Sequence, residues 1–407
     1  MRLETLLLHD KDLQTYEHGA TLPALAQSSA FAYPDIEALS GVFRGTRPGF
    51  SYSRTANPTV HALEQRLLAI EGGLSSLALS SGMAALSCAV MNLVHSGAEI
   101  ISSPALFGGT LEIFSELRHF GVKVIYIDRL EPQRLEEAIT PQTRLIFGEL
   151  VGNPSLDILD VRTTAEIAHR HGIPFMVDAT IPTPYIIRPL EFGADIVIHS
   201  TTKYMVGNGS TIGGAIIDGG RFEWDYERYP GLRPYERFRQ HSFMLRLRRS
   251  LWRNLGSCMA PQAAFQTLLG LETLTLRMRA TCDNALGLAH FFQEQGVSVN
   301  YPGLESHRDH RILAEQYQGL GSGIVTITMR DQDQAYKLIN RLRIPHVATN
   351  IGDSKTLIIH PRSTIYCFAS DEECRAAGVH DGTIRISVGI ENLEDLKEDF
   401  AQALSGL

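Results

Sequence analysis

The sequence lacks a continuous apolar run of about 18 residues, the length that a membrane-spanning helix requires. Its first twenty residues contain acidic and polar residues where a secretory signal needs an uninterrupted apolar segment. The five cysteines are scattered and form no CxxC pair, which argues against a disulfide framework and a zinc site. A net charge of -8 at pH 7 would repel a nucleic-acid backbone. We therefore expect a cytoplasmic protein that has no metal site and does not bind membranes or nucleic acids.

The 407 residues, 44% hydrophobic and 20% charged, are enough for one large or two ordinary domains of a globular protein. Residues 1–56 lack periodicity and predict an extended arm lying over another surface, such as a neighbouring subunit. Short apolar runs then alternate with amphipathic helical segments within 57–256, which predicts an α/β domain with a mostly parallel sheet covered by helices. Residues 257–407 predict a smaller α+β domain. Within the large domain, the Arg-rich segment 219–256 is irregular in sequence and is expected to form an insertion.

One lysine stands at an unusual place in the predicted sheet. The apolar strand 194–198 leads into HSTTKYMVGNG and so places Lys203 at its carboxyl end, where ligands bind in sheets of this kind. Desolvation there would lower the pKa of the lysine and free its amine to form a Schiff base with pyridoxal 5'-phosphate. By itself, the lysine is better explained as a solvated side chain at a strand end, because most lysines are exposed.

Two other strand ends carry candidate cofactor ligands. In ALSSGMAAL, the residues Ser81, Gly82 and Met83 start a helix after a strand, and free N–H groups at such a start bind phosphate. Asp178 follows another strand and could hold the protonated pyridine nitrogen of the cofactor. When each of these residues is considered alone, a cap or turn role is the better explanation. Two hydroxyl residues before the lysine could also reach a phosphate: Ser200 and Thr202.

Three further residues are candidates for binding anions. Tyr52 and Arg54 lie two positions apart on an extended segment, so their side chains point to one side and suit a phosphate, although a surface ion pair is the alternative. Arg385 is a lone cation in the apolar strand TIRISVG. It needs a carboxylate partner, either an internal Asp or Glu or the α-carboxylate of an amino-acid substrate.

These segments occur together, in the order of a known family. The chain resembles, over essentially its whole length, the pyridoxal-phosphate enzymes of cysteine and methionine metabolism. The resemblance rests on segments spread from residue 52 to residue 391: YSRTANPT, SSGMAAL, LFGGT, GNP, VDAT, HSTTKY and RISVGIE. It implies an aminotransferase-like fold (fold type I), pyridoxal 5'-phosphate as cofactor, and a homotetramer built as a dimer of dimers.

The resemblance also implies roles for individual residues. Lys203 would carry the cofactor and shuttle protons, and Asp178 would pair with the pyridine nitrogen. Tyr52 and Arg54 would reach the phosphate in a neighbouring subunit, so the active site would be shared between subunits. The remaining assignments are the phosphate contacts Ser81, Gly82, Met83, Ser200 and Thr202, and the substrate contacts Asn153, Arg385 and Asn350.

Two departures from the family pattern bear on the reaction. Phe107 stands where the family usually has a tyrosine that stacks on the cofactor and exchanges protons, so stacking is kept and the acid/base role is lost. Ala179, in VDAT, replaces an asparagine and is expected to remove a polar group beside the cofactor. Without the phenol, a thiol leaving group would not be protonated, whereas a carboxylate such as acetate leaves readily without protonation. Phe107 therefore favours an O-acylhomoserine as the substrate.

The segment NIGDSKTLIIHP (350–361) also resembles the sulfhydrylase branch of the family. We therefore predict γ-replacement on O-acetyl-L-homoserine, or a similar ester, by a sulfur nucleophile. The donor could be sulfide, methanethiol or a small sulfur-carrier protein. The alternatives are a γ-lyase of the methionine or cystathionine type, and a non-catalytic cofactor-binding homologue.

Overall fold

The computed structural model describes residues 1–9 and 16–407, apart from the side chains of Glu373 and Ala376. Positions 10–15 of the predicted arm lie outside the described residues. The expectation of a wholly extended arm is wrong, because the arm contains two helices, Leu3–Leu8 (α1) and Ile36–Arg44 (α2). The carboxylate of Asp35 caps the start of α2 by accepting from the Ala38 N–H, and Gly45 ends it in a left-handed conformation.

A seven-stranded sheet forms the centre of the large domain, with strand order β1-β7-β6-β5-β4-β2-β3. Strands β2 to β6 pair in parallel, and β7 pairs antiparallel with both β6 and β1. The prediction of a mostly parallel sheet is confirmed, although β7 was not predicted. The strands are Ser75–Leu79 (β1), Glu99–Ser102 (β2), Lys123–Tyr126 (β3), Thr143–Glu149 (β4), Phe175–Asp178 (β5), Ile196–His199 (β6) and Gly214–Asp218 (β7).

Helices cover both faces of this sheet. Alternate residues of a strand belong to different core clusters: Val197 shares a cluster with Val60 and Ala165, whereas Ile198 shares one with Ala85. Burial on both faces explains why the strands are almost continuously apolar in sequence. The helices are Pro58–Glu71 (α3), Gly82–Met91 (α4), Gly108–Leu117 (α5), Pro132–Ala138 (α6), Val161–Arg170 (α7), Thr183–Ile186 (α8), Ser242–Arg246 (α9), Trp252–Leu255 (α10), Pro261–Glu272 (α11) and Leu274–Glu294 (α12).

The segment 219–256 is more ordered than its sequence indicates. Besides α9 and α10 it contains a 3-10 stretch, Pro230–His241, and a π-helical turn, Leu247–Leu251. The rings of Trp224 and Phe243 stack with centroids 5.6 Å apart, and Tyr229 meets Trp224 edge-on at 5.3 Å. These aromatic side chains belong to the core cluster beneath α4. Packing of aromatic side chains, and not helical periodicity, therefore orders the segment.

The C-terminal part forms a separate five-stranded sheet of order β10-β11-β12-β9-β8. Its core packs against α12, α14 and α16. The predicted fold class, a large mostly parallel sheet with a smaller α+β part, is confirmed. In the described residues no helix is both long and apolar enough to cross a membrane. The elements are Ser298–Asn300 (β8), His310–Gln316 (α13), Ile324–Thr328 (β9), Gln332–Arg341 (α14), His346–Val347 (β10), Leu357–Ile359 (β11), Asp371–Ala376 (α15), Thr383–Ser387 (β12) and Leu393–Leu404 (α16).

Candidate active site

A cavity of about 280 Å³ lies beyond the carboxyl ends of β4, β5 and β6. This is the edge of a parallel sheet at which ligands bind, because the strand ends and the following helix starts converge there. Thr349, Ile351 and Arg385 from the C-terminal part form the opposite wall. The cavity thus brings together residues far apart in sequence that the sequence analysis singled out: Ser81, Gly82, Met83, Phe107, Asn153, Asp178, Ser200, Thr202, Lys203 and Arg385.

Lys203 projects into this cavity from the turn after β6. Its ammonium group donates a hydrogen bond to Asn350 Oδ1 at 2.6 Å. Burial lowers the pKa of Lys203 to about 8, with Arg385 adding to the effect and Asp178 opposing it. About a tenth of the amine is then neutral at pH 7 and available as a nucleophile. Asn350, predicted as a substrate contact, is therefore placed here as the partner of the lysine.

Asp178 is the last residue of β5 and its side chain faces the cavity. One carboxylate oxygen accepts from the Thr180 N–H at 2.8 Å. Burial raises the pKa of Asp178, whereas the hydrogen bonds from Thr180 and the charges of His199 and Lys203 favour the ionised form. An anion held in this way could pair with a cation in the cavity.

Glu149 also lines the cavity, and the sequence analysis did not single it out. It ends β4 directly beside Asp178 and accepts a hydrogen bond from the Phe107 N–H at 2.7 Å. Burial and the neighbouring Asp178 raise the pKa of Glu149 well above its ordinary value. Its position at a strand end, four residues before Asn153, was the signal that could have identified it.

The start of α4 closes one end of the cavity with small residues. Ser81 caps the helix, its hydroxyl accepting from the Ala84 N–H at 3.0 Å. A Cβ on Gly82 would lie 2.7 Å from the Cβ of Ser200, so only glycine fits this approach between helix and turn. The Thr202 hydroxyl donates to the Gly213 carbonyl at 3.1 Å and accepts from the Gly213 N–H at 3.0 Å.

Arg385 lies deep in the opposite wall and is only 2% exposed. Its guanidinium donates to Asn153 Oδ1 at 3.2 Å and to the Thr349 carbonyl at 2.8 Å, whereas its Nε has no partner among the described residues. Burial lowers the pKa of Arg385 to about 10. Within the described residues no Asp or Glu forms an ion pair with it. The internal carboxylate considered in the sequence analysis is therefore not found there, and a buried cation of this kind suits an anionic ligand.

The two departures from the family pattern lie in different surroundings. Phe107 lies at the cavity and is 42% exposed, so its ring is open to a ligand. Ala179, in contrast, is fully buried and belongs to the core cluster of the large domain. Ala179 is not among the residues that line the cavity, and the expectation that it removes a polar group beside the cofactor stays a prediction.

Tyr52 and Arg54 do not line the cavity of their own chain. Both are exposed on the arm, with the Arg54 guanidinium 5.6 Å from the centre of the Tyr52 ring. Arg54 also donates to the carbonyl of Arg253 at 2.8 Å. The side chains therefore remain accessible beside the segment 219–256.

The cavity has the groups that pyridoxal 5'-phosphate requires. It combines a lysine of lowered pKa, an aspartate opposite it, and a helix start where Gly82 lets the backbone approach closely. The described residues contain no cluster of three or more His, Cys, Asp or Glu that could hold a metal ion. Fold and cavity together define a pyridoxal-phosphate-binding α/β enzyme.

The chain belongs to the Cys/Met metabolism PLP-dependent enzyme family, whose sequence pattern matches residues 4–405. It is 36% identical to an O-acetyl-L-homoserine sulfhydrylase of Leptospira meyeri over 99% of this chain and 97% of that protein. It is also 36% identical to a homocysteine synthase of Schizosaccharomyces pombe, over 98% and 97% of the two chains.

A solved structure has the same fold along its whole length. It is a Campylobacter jejuni protein described as an O-acetylhomoserine (thiol)-lyase, with a TM-score of 0.94, 32% identity and 100% coverage of both chains. That crystal structure contains a lysine joined to pyridoxyl phosphate. The family and this neighbour agree with the cofactor predicted from the sequence.

Proposed function

We propose that this protein catalyses γ-replacement on O-acetyl-L-homoserine, or a similar O-acylhomoserine, with a sulfur nucleophile. The C–O bond at Cγ breaks, acetate leaves with the bonding electrons, and a C–S bond forms to give homocysteine or methionine. The observation on which the proposal mainly rests is Arg385, a buried cation without a described carboxylate partner, facing Lys203 across one cavity. The names of the relatives support the same reaction.

Arg385 and Asn153 would bind the α-carboxylate of the substrate. The guanidinium is already oriented by the Asn153 amide and the Thr349 carbonyl, so binding costs little side-chain entropy. An amino-acid substrate is therefore held at a fixed distance from the lysine.

Lys203 would hold and move the protons of the substrate carbons. Its pKa of about 8 lets the same amine accept a proton in one step and return it in another near neutral pH. Asn350 fixes the position of the amine through its Oδ1. When bound, pyridoxal 5'-phosphate supplies an electron-accepting ring that stabilises negative charge on the substrate, and Asp178 would hold the proton of its ring nitrogen.

Phe107 favours replacement over elimination. A phenyl ring can stack on the cofactor but cannot protonate a leaving thiolate, which γ-elimination from methionine requires. The runner-up functions are such a γ-lyase and a cofactor-binding protein without turnover. Neither has a specific supporting feature in the cavity.

The active site is proposed to be shared between subunits of a cytoplasmic homotetramer. Tyr52 and Arg54 are exposed on the arm and absent from their own cavity, as expected for residues that reach the phosphate site of a neighbour. The proposed units are the arm (1–56), the cofactor domain (57–256) and the C-terminal domain (257–407). A small sulfur-carrier protein remains a candidate donor beside sulfide and methanethiol.

Product analysis tests the reaction. The holoenzyme is incubated with O-acetyl-, O-succinyl- or O-phosphohomoserine and with each sulfur donor, and homocysteine and methionine are measured. We expect homocysteine from O-acetylhomoserine and sulfide, and none from Lys203→Ala, the matched control. Steady release of 2-oxobutyrate and ammonia from methionine would instead identify a γ-lyase. A bound cofactor whose absorption responds to no amino acid would identify a non-catalytic homologue.

A further inference from the structure

Glu149 and Asp178 are neighbours at the sheet edge that forms the cavity. Their Cα atoms are register partners in the parallel pair of β4 and β5. Neighbouring strands lie about 5 Å apart, and register partners point to the same face. Both side chains line the cavity. Two carboxyl groups this close in a buried site do not ionise together at neutral pH, so one of them holds a proton.

Asp178 is better placed to keep the negative charge. The Thr180 N–H donates to it, and Lys203 and His199 both favour its ionised form. No cation of the described chain compensates Glu149 in this way, and burial together with Asp178 raises the pKa of Glu149 well above the ordinary range. The proton therefore resides on Glu149.

The two hydrogen bonds of Glu149 favour its ionised form, but they use only one of its carboxyl oxygens. Its Oε1 accepts from the Phe107 N–H at 2.7 Å and from the Thr110 hydroxyl at 3.4 Å. Both donors lie at the start of α5, which by itself favours an anion, but this helix effect is small beside burial and an adjacent carboxylate. Oε2 takes no part in these two bonds and is free to hold the proton.

We propose that Glu149 is a positioning residue that works as a neutral acid: it holds Phe107 and the start of α5 through Oε1, and keeps a proton at the cavity wall. Ionisation of Glu149 at alkaline pH then puts a second negative charge beside Asp178. This charge weakens cofactor binding, because the cofactor has a net negative charge. The proposal rests on the proposed cofactor site but not on the acyl group or the sulfur donor. A negative homocysteine assay would therefore leave it standing.

Other groups that face Glu149 also titrate or carry charge. They are Asp178 on β5, Lys203 after β6, and Tyr366 and Arg385 from the C-terminal part. Lys203, with a pKa of about 8, makes its own contribution to any change of cofactor binding at alkaline pH. A variant at Glu149 that leaves Lys203 in place separates the two contributions.

Glu149→Gln provides this separation. The glutamine oxygen can accept from Phe107 as Oε1 does, and its NH₂ group reproduces the donor of the protonated acid. We expect the cofactor dissociation constant at neutral pH to stay within about twofold of wild type. We also expect the loss of affinity at alkaline pH to be smaller in the variant. A loss of about tenfold or more at neutral pH, or the same alkaline decline as in wild type, would overturn the proposal.

Two further measurements complete the test. The cofactor-free chain should lose stability relative to Glu149→Gln as the pH rises from the ordinary pKa of a glutamic acid to the raised pKa of Glu149, because in this range the unfolded chain ionises its carboxyl group and the folded chain does not. Glu112→Gln, which changes an exposed carboxyl on α5, should not alter either pH dependence. If Glu149→Gln does not fold, infrared spectra of the wild type with ¹³C-labelled glutamate decide. A protonated glutamic acid C=O band at neutral pH supports the proposal, and its absence overturns it.

Discussion

Arg385→Lys tests how the substrate is held. The substitution keeps the charge but replaces a planar guanidinium, which can grip a carboxylate with two N–H groups, by a single ammonium. A hydrogen bond to a charged group contributes about 1.5–3 kcal/mol, and the shorter lysine also loses at least one of the bonds to Asn153 and Thr349. We expect a loss of about 3 kcal/mol in transition-state stabilisation, which is about 150-fold in kcat/KM.

Steady-state kinetics divides this loss between binding and chemistry. Because the α-carboxylate is held equally before and during the reaction, we expect the KM for O-acetylhomoserine to rise more than kcat falls. The KM for sulfide and the cofactor absorption should stay unchanged. Arg246→Lys is the matched control, since Arg246 is partly buried and, like Arg385, donates to an asparagine side chain, Asn92, but does not line the cavity. A decrease below about threefold in Arg385→Lys, or an equal loss in Arg246→Lys, would refute the reasoning.

Three other substitutions test other parts of the structure. Gly82→Ala places a Cβ 2.7 Å from that of Ser200. Overpacking of this kind costs about 1–3 kcal/mol, so we expect the cofactor affinity, measured by absorption titration, to fall about 5- to 150-fold. Unchanged affinity would contradict the close approach. Phe107→Tyr restores a phenol and should increase 2-oxobutyrate release from methionine relative to wild type, and no increase would remove the argument from the leaving group. Burial raises the pKa of Asp218 to about 7, so its ionisation costs the folded state increasingly between about pH 4 and pH 7, up to about 4 kcal/mol. Asp218→Asn should therefore raise the unfolding temperature of the cofactor-free chain more at pH 8 than at pH 5, and a gain independent of pH would contradict this origin.

Local sequence was enough to predict the fold class and most cavity residues. The strands of the large sheet are buried on both faces, so their continuous apolar character identifies them without knowledge of their partners. Asp178 and Lys203 follow such strands, and the parallel arrangement brings the carboxyl ends of strands to one edge. The order of the cofactor motifs along the chain then identified the family.

Contacts between distant segments decided the remaining features. The helical turns of 219–256 depend on the stacking of Trp224 and Phe243 in the core, which no local periodicity reports. Asn350 accepts a hydrogen bond from Lys203, 147 positions earlier in the sequence. Glu149 differs from an ordinary acidic residue at a strand end only because it is the register partner of Asp178. The sequence by itself determined which residues stand at the ends of strands. The tertiary structure decided their charge, because protonation depends on burial and on neighbours that only folding brings close.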